Sequence, residues 1–243
     1  MGYAIELINL RKEFGNKVAV KGSNLKVAEG SLFSLLGVNG AGKTTTIRML
    51  AGLSKATSGD ALVYGYSITN DLDHIKRISN ISTQETAIAQ NLTVYENLMF
   101  IARIYGMDHS KSEKQADQMI AQFSLDEVRN TKARTLSGGW QRRLSIAMAL
   151  ISQPKVLFLD EPTLGLDVLA RNELWKIIES LKGKVTIILT THYMEESERL
   201  SDKVAIMVGG DIKACGSVNE LKVLTGKENL EGAFVAIAEG EVA

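Results

Sequence analysis

A nine-residue run, GVNGAGKTT at 37–45, constrains the fold of this chain more than any other feature. It matches the pattern G-x-x-x-x-G-K-S/T. It also stands between an apolar run at 32–36, which predicts a strand, and an amphipathic run at 46–53, which predicts a helix. In such a turn, backbone N–H groups and the positive end of the helix face phosphate oxygens. The sequence therefore predicts an α/β domain with a phosphate-binding loop.

The residue types within this loop fit a triphosphate and a metal ion. Glycines lack the Cβ atoms that would keep successive N–H groups from turning inward. Lys43 supplies a positive charge, Thr44 can coordinate Mg²⁺ through its hydroxyl, and Thr45 can donate to the α-phosphate. The predicted phosphate-binding residues are Gly37, Val38, Asn39, Gly40, Ala41, Gly42, Lys43, Thr44 and Thr45.

Composition limits the class of protein. The 243 residues, 45% of them hydrophobic, suffice for one large domain or two small ones. Lys plus Arg (28) equals Asp plus Glu (28), which argues against a nucleic-acid partner held by phosphate contacts. Cys215, the single cysteine, is expected to be a partly buried, inert side chain. No apolar run approaches the ~20 residues that span a bilayer, and no signal peptide is recognisable, so we expect a soluble, cytoplasmic chain.

Strand and helix patterns alternate along the chain in an order that predicts two kinds of layer. Early strand patterns suggest a small antiparallel sheet, a helical segment follows, and further strands and a hairpin turning at Gly209-Gly210 come after it. The strand patterns lie at 4–10, 17–20, 23–27, 61–66, 78–82, 156–159, 186–189 and 204–214, and the helical patterns lie within 93–123.

A second motif, PKVLFLDEPT at 154–163, ends an apolar strand in two carboxylates. The carboxyl edge of a parallel sheet is where ligands bind in open α/β folds. Asp160 is predicted to hold Mg²⁺, and Glu161 to accept a proton from the water that attacks the γ-phosphate. A solvated acidic turn after a strand is the alternative without chemistry.

A third motif, TLSGGWQRRL at 135–144, places Ser137, Gly138 and Gly139 at a predicted helix start. A hydroxyl and free N–H groups at that position form a second anion site. Because the first loop already holds the one γ-phosphate of a nucleotide, we expect this site to complete the pocket of a second copy. A Ser-capped helix with no ligand is the plain alternative.

With these motifs the chain resembles the nucleotide-binding subunit of ABC transporters over nearly its whole length. Four further family motifs stand in order: Phe14, Gln84 in STQET, LGLD at 164–167, and His192 in TTHYMEES. The resemblance implies that Phe14 stacks on adenine, although a single aromatic could equally be a core residue. It further implies that Gln84 contacts the γ-phosphate or Mg²⁺ and that His192 acts in catalysis.

The resemblance also implies a domain organisation. It predicts one P-loop NTPase (RecA-like) domain across 1–243. The RecA-like core and an N-terminal antiparallel β layer occupy 1–84 and 154–216, an inserted helical subdomain occupies 85–153, and a short C-terminal tail occupies 217–243.

The implied activity is ATP hydrolysis with Mg²⁺, most like the ATPases of ABC-2-type exporters. The implied partners are a second ATPase subunit, in a homodimer or a heterodimer, and an integral membrane permease on a separate chain. The chain would then lie peripherally on the cytoplasmic face of the membrane. The alternative is a soluble, non-transport ABC ATPase; a kinase or GTPase would leave LSGG and His192 unexplained.

Overall fold

The computed structural model describes residues 2–241, which form two β-sheets flanked by helices. The strands are β1 Tyr3–Phe14, β2 Lys17–Ala28, β3 Leu32–Leu36, β4 Ser58–Val63, β5 Tyr66–Ser67, β6 Ser79–Ser82, β7 Val156–Asp160, β8 Thr186–Thr191, β9 Lys203–Val208 and β10 Asp211–Gly216. The helices are α1 Lys43–Leu50, α2 Leu72–Ile78, α3 Val94–Ile104, α4 His109–Gln122, α5 Gly138–Leu150, α6 Val168–Ser180, α7 Met194–Leu200, α8 Val218–Thr225 and α9 Leu230–Glu239. Two short 3₁₀ turns, Asp126–Val128 and Ala133–Thr135, join α4 to α5.

The larger sheet has the strand order β10-β9-β3-β8-β7-β6. Its strands pair in parallel from β9 to β6, and β10 pairs antiparallel to β9. Strands β3, β7 and β8 are fully buried, as expected for parallel strands covered on both faces. Because β3, β8 and β7 are neighbours, the loops that follow them meet at one edge of the sheet.

The smaller sheet is antiparallel, with the order β2-β1-β4-β5. It packs against the parallel sheet through α1, in an apolar cluster that includes Ile5, Phe33, Ile47 and Phe158. A second apolar cluster joins α3, α4 and α5 to the other face of the parallel sheet. These layers confirm the predicted fold class: an α/β core, an antiparallel layer and a helical segment inserted between β6 and β7.

Several local predictions are wrong in detail. The patterns at 17–20 and 23–27 belong to the single strand β2, which contains irregularities in its pairing with β1. Helix α2 was not predicted from the sequence, because it has one buried residue, Ile75, and therefore lacks a clear apolar period. Cys215 is exposed rather than partly buried, because β10 is the edge strand of its sheet. The part of the thiol that faces the protein is still desolvated, which raises its pKa.

The C-terminal segment, predicted as a short tail, forms α8 and α9. They cover β9 with a third apolar cluster, in which Leu221, Leu230 and Phe234 contact Val204 and Ile206. The positive φ of Gly226 (66°) lets the chain turn between the two helices. This segment is therefore packed structure at the end of the parallel sheet opposite β6.

Candidate active site

The glycine-rich loop joins β3 to α1, and two of its glycines are fixed by their surroundings. A Cβ atom on Gly37 would collide with the backbone oxygen of Met207, and one on Gly42 would collide with the backbone oxygen of Ala19. Gly42 also has a φ of 105°, which favours glycine strongly. The loop is thus pressed against β2 and β9, with its N–H groups at the start of α1.

Lys43 is the first residue of α1, and only 5% of its surface is exposed. Its Nζ donates to the backbone oxygen of Gly37 at 2.7 Å and lies 3.2 Å from Oε1 of Glu161. A buried ammonium group requires such partners because removing it from water is costly. The loop lysine and the predicted catalytic carboxylate therefore share one buried site.

Asp160 and Thr44 form the oxygen-rich part of this site. Thr44 Oγ1 donates to Asp160 Oδ1 at 2.8 Å, and Thr190 Oγ1 donates to the same oxygen at 2.6 Å. A buried carboxylate beside a hydroxyl is the hard oxygen donor set that Mg²⁺ prefers. These residues would hold a magnesium ion through their oxygens, and the exposed Gln84 follows β6 at the same edge of the sheet.

Glu161 stands directly after β7 with a φ of 49°, a left-handed conformation uncommon for a residue other than glycine. Its N–H donates to the backbone oxygen of Thr190 at 3.1 Å, which fixes this turn to β8. Its Oε2 lies 2.6 Å from Nδ1 of His192, the first residue after β8. Such backbone strain costs about 1–3 kcal/mol and persists where surrounding contacts fix the geometry.

An open pocket of ≈ 380 Å³ lies above these groups. Its lining includes Phe14, Asn39, Gly40, Ala41, Gly42, Lys43, Thr44, Thr45, Gln84, Glu161 and His192. Gly37, Val38 and Asp160 do not line it, although hydrogen bonds connect all three to Lys43 or Thr44. The structure thus brings residues from β1, the glycine loop, β6, β7 and β8 to one edge of the sheet.

Phe14 is 55% exposed, so the alternative that it is a core residue is wrong. It ends β1 at the rim of the pocket, and Lys12 Nζ lies 4.7 Å from its ring centroid. Two further lining residues, Lys17 and Ala19, escaped sequence reasoning, and a third, Leu164, is the first residue of the LGLD motif. The first two adjoin the loop only because β2 folds back along it, a contact that no local pattern encodes.

The segment Ser137, Gly138 and Gly139 lies outside this pocket. Ser137 and Gly138 are exposed, and Ser137 occupies the N-cap position of α5 without accepting a hydrogen bond from the helix. Among the α-helices within residues 2–241, only α1 and α5 have neither a side-chain cap nor an acidic residue in the first turn. Both N-termini are therefore free for an external anion.

A buried glutamate behind the site was not predicted. Glu196 on α7 has no exposed surface, and its Oε1 accepts hydrogen bonds from Thr163 Oγ1 at 2.9 Å and Trp175 Nε1 at 3.0 Å. Burial raises the pKa of this carboxyl, and these hydrogen bonds offset only part of the effect. It connects the loop after β7 to α6 and to the helix that follows His192. Glu196 is one of two consecutive glutamates in TTHYMEES, and the sequence does not indicate which of them is buried.

The comparisons with known proteins agree with this geometry. The ABC transporter family profile matches residues 20–164, more than half of the chain. The chain is 39% identical to the daunorubicin/doxorubicin resistance ATP-binding protein DrrA of Streptomyces peucetius, over 93% of this chain and 69% of that protein. The chain belongs to the ABC transporter family. Its predicted resemblance to an ABC-2-type ATPase is confirmed.

Another relative is much longer. The human phospholipid-transporting ATPase ABCA3 is 43% identical over 90% of this chain, but the match covers 13% of that protein. The chain thus spans a small part of some relatives and about two thirds of DrrA. Within residues 2–241, no helix has both the length and the apolar character needed to cross a bilayer.

Solved structures of the family match the whole fold. One described as the ATP-binding subunit of an ABC transporter superposes with a TM-score of 0.85, at 26% identity, over 96% of this chain and 99% of the other. A second, the ATP-binding cassette MJ0796 in a dimeric post-hydrolysis state with ADP and phosphate, has a TM-score of 0.78 at 25% identity, over 88% and 98%. The chain is an ABC ATPase, built as an ATP-binding domain of this family.

Proposed function

We propose that this chain hydrolyses ATP to power an integral membrane permease on a separate chain, as the ATPase subunit of an exporter. The observation that carries the proposal is the buried contact of Lys43 and His192 with the two carboxylate oxygens of Glu161, beside Asp160 and Thr44. The similarity to DrrA, whose name describes a drug-resistance ATP-binding protein, supports export as the direction.

In this proposal the glycine loop holds ATP at the start of α1. N–H groups of Gly40, Gly42 and Lys43 bind the β- and γ-phosphates, and the Lys43 ammonium balances their charge. Phe14, exposed at the pocket rim, stacks on adenine. Mg²⁺, held by Thr44, Asp160 and Gln84, would neutralise charge on the phosphate oxygens.

Hydrolysis follows from the position of Glu161. A water attacks the γ-phosphorus, gives its proton to a Glu161 oxygen, and the bond from that phosphorus to the bridging oxygen of ADP breaks. His192 Nδ1, 2.6 Å from Oε2, holds the carboxylate in this orientation. The hydrogen bond from the Glu161 N–H to Thr190 fixes its backbone. Both contacts hold the carboxylate in place before the reaction, so less conformational freedom is lost on reaching the transition state.

The proposal includes a second copy of the ATPase, in a homodimer or a heterodimer. Ser137, Gly138 and Gly139 form an uncapped, exposed helix start that lies outside the pocket of their own chain. In a head-to-tail dimer they would close the partner's nucleotide pocket. The dimeric state in the description of the MJ0796 structure supports this arrangement.

The permease would dock on a groove of ≈ 220 Å³ between β6 and the helices α3 and α5. Ile81, Ile101, Ile104 and Met148 contribute apolar surface, and the lining contains no charged side chain. Phe100, 52% exposed, and Ile104, 62% exposed, extend this apolar surface. A short amphipathic helix from a cytoplasmic loop of the permease would fit it, which places the ATPase peripherally on the cytoplasmic face.

Purification of the tagged chain from its native membranes tests this function. We expect an integral membrane protein to co-purify and to raise the ATPase rate. Ile104→Glu should abolish both effects, because it places a charge in the apolar groove. Val223→Glu is the matched control, since Val223 is 83% exposed on α8, outside the groove. A wild-type chain that recovers no membrane protein, with an unstimulated ATPase, would favour the soluble ABC ATPase instead.

A further inference from the structure

Helix α5 carries a buried arginine that belongs to the motif TLSGGWQRRL but has been given no role so far. Arg142 is only 5% exposed, although α5 begins at the exposed Gly138. Its Nη1 donates to the backbone oxygen of Thr83 at 2.7 Å, and its Nη2 donates to the backbone oxygen of Gln84 at 2.6 Å. The planar fork of a guanidinium group thus holds two consecutive carbonyls, and charge-assisted bonds of this kind are strong.

The two carbonyls lie beyond the last residue of β6, Ser82, so the sheet ladder does not supply their partners. Burial lowers the pKa of Arg142, and the carboxyls of Asp160 and Glu196 partly offset this effect. An arginine remains charged even so. Arg142 is therefore a buried charge with no carboxylate in direct contact. Because burying such a charge is costly, its hydrogen bonds to the carbonyl oxygens of Thr83 and Gln84 indicate that it is needed to hold this segment.

A second contact fastens the same segment to the same face of α5. Ser145 Oγ lies 2.9 Å from Ser82 Oγ, and both side chains are buried. Residues three apart share a helix face, so Arg142 and Ser145 bind consecutive parts of the segment 82–84. The backbone that carries Gln84 into the nucleotide pocket is therefore fixed to α5 over a full turn.

We propose that Arg142 is a positioning residue that couples the two nucleotide sites of the dimer by fixing Gln84 to the helix that carries Ser137. The proposal rests on the proposed head-to-tail function. Ser137 would contact the partner's nucleotide, and Gln84 would contact the nucleotide of its own chain. Arg142 stands five positions after Ser137, a rise of about 7.5 Å along the helix axis. A displacement of α5 on engaging the partner would therefore move Gln84 as well.

The test compares two conservative substitutions on neighbouring residues. Arg142→Lys keeps the charge but replaces the planar fork of two nitrogens by a single ammonium nitrogen on a shorter side chain, which weakens the hold on the two carbonyls. The matched control is Arg143→Lys, because Arg143 is similarly buried on the same helix but pairs with the largely exposed Glu173. We expect Arg142→Lys to lower kcat by roughly 10–100-fold, the usual effect of misplacing an active-site group by about 1 Å. Arg143→Lys should change kcat by less than about threefold.

Cooperativity distinguishes coupling from a purely structural role. The Hill coefficient for ATP should fall from near 2 in the wild-type dimer to near 1 in Arg142→Lys, while the affinity of one isolated chain for ATP changes little. Hydrogen exchange should accelerate at the amides of residues 83–85. Thermal unfolding of the variant checks that the fold is retained.

A double-mutant cycle with Gln84→Ala completes the test. If Arg142 acts through Gln84, Arg142→Lys should reduce kcat far less in the Gln84→Ala background than in the wild type. Additive losses of kcat, or an unchanged Hill coefficient in Arg142→Lys, would overturn this inference but leave the proposed function standing. A wild-type protein without cooperativity and without an ATP-dependent dimer would overturn both the inference and the proposed function.

Discussion

Two helix starts in this molecule, those of α1 and α5, share the same chemistry but differ in their surroundings. Neither has a side-chain cap or an acidic residue in its first turn. At α1 the first side chain, Lys43, is buried and bonded to groups from the loop and from the turn after β7. At α5 the residues Ser137 and Gly138 are exposed.

This difference indicates which site is complete within one chain. In the α1 site Glu161 contacts both Lys43 and His192, and Asp160 contacts Thr44, so binding and chemistry can both be arranged there. The α5 site offers N–H groups and a hydroxyl but no carboxylate or lysine in its own first turn. Such a site can bind an anion that another copy presents, but it lacks the groups for hydrolysis.

The largest predicted effect tests whether the chemistry belongs to the α1 site. Glu161→Gln should slow ATP turnover by roughly 10²–10⁴-fold, because the amide cannot accept the proton of the attacking water. ATP binding should persist, and the ATP-bound dimer should become long-lived. Turnover assays and size-exclusion chromatography with ATP measure these effects.

Glu195→Gln is the control for that substitution, since Glu195 is largely exposed and contacts Arg171 rather than the pocket. It should hydrolyse ATP at the wild-type rate. Near-normal turnover in Glu161→Gln would show that this carboxylate is not the base. The proposal that the α1 site carries out hydrolysis while the α5 site only binds an anion would then lose its basis.

The next prediction tests whether the α5 site serves another chain. Lys43→Ala should empty the phosphate loop of its own subunit, and Ser137→Arg should block the opposing pocket with a bulky side chain. Each homodimer should lose about 10²-fold or more of its activity. A mixture contains heterodimers in which one site carries both lesions and the other carries neither, so part of the activity should return.

Strict dependence of one site on the other could suppress that recovery, so a crosslink provides a second measurement. One cysteine replaces Asn39 in the phosphate loop, another replaces Ser137, and Cys215 is first replaced by serine because it is exposed. With ATP present, the crosslink should join two chains. A crosslink confined to one chain would contradict the head-to-tail arrangement.

A smaller effect is expected at the pocket rim. Phe14→Ala should weaken ATP binding by about 1–3 kcal/mol, the usual value of stacking on a base, with little change in Tm. Tyr3→Ala is a matched control on the same strand: Tyr3 is exposed and also lies under a lysine, with Lys26 Nζ 4.7 Å from its ring centroid. Equal losses of ATP affinity in both variants would argue against adenine stacking at Phe14.

The α1 site could be anticipated from sequence because its parts obey two simple rules. A continuous motif encodes the loop, and the parallel order of β3, β8 and β7 brings Asp160, Glu161 and His192 to the same edge. Contacts that depend on packing between distant elements were not predictable. Arg142 and Glu196 bind residues that lie far from them in the sequence. Cys215 is exposed because β10 is the edge strand of its sheet, which the sequence does not reveal.

The smallest predicted effect concerns Glu196, which lies behind the α1 site. Burial raises its pKa in the folded protein above its value in the unfolded chain, so the folded state favours the protonated carboxyl. The stability that this group contributes is therefore complete below its unfolded pKa of about 4.3 and is lost as the pH rises through the folded pKa. Between those limits the free energy of unfolding should fall by at most about 1.4 kcal/mol per pH unit.

Glu196→Gln removes this titration, because an amide stays neutral and can still accept from Thr163 and Trp175 through its oxygen. Chemical denaturation at pH 5 and pH 8 should show that the variant gains stability relative to the wild type as the pH rises. Glu241→Gln serves as a control, since that carboxylate is exposed and pairs with Lys227. If the difference between Glu196→Gln and wild type does not change with pH, Glu196 has the same protonation in both states. In that case its hydrogen bonds alone would join the loop after β7 to α7, and the support of the α1 site would be independent of pH.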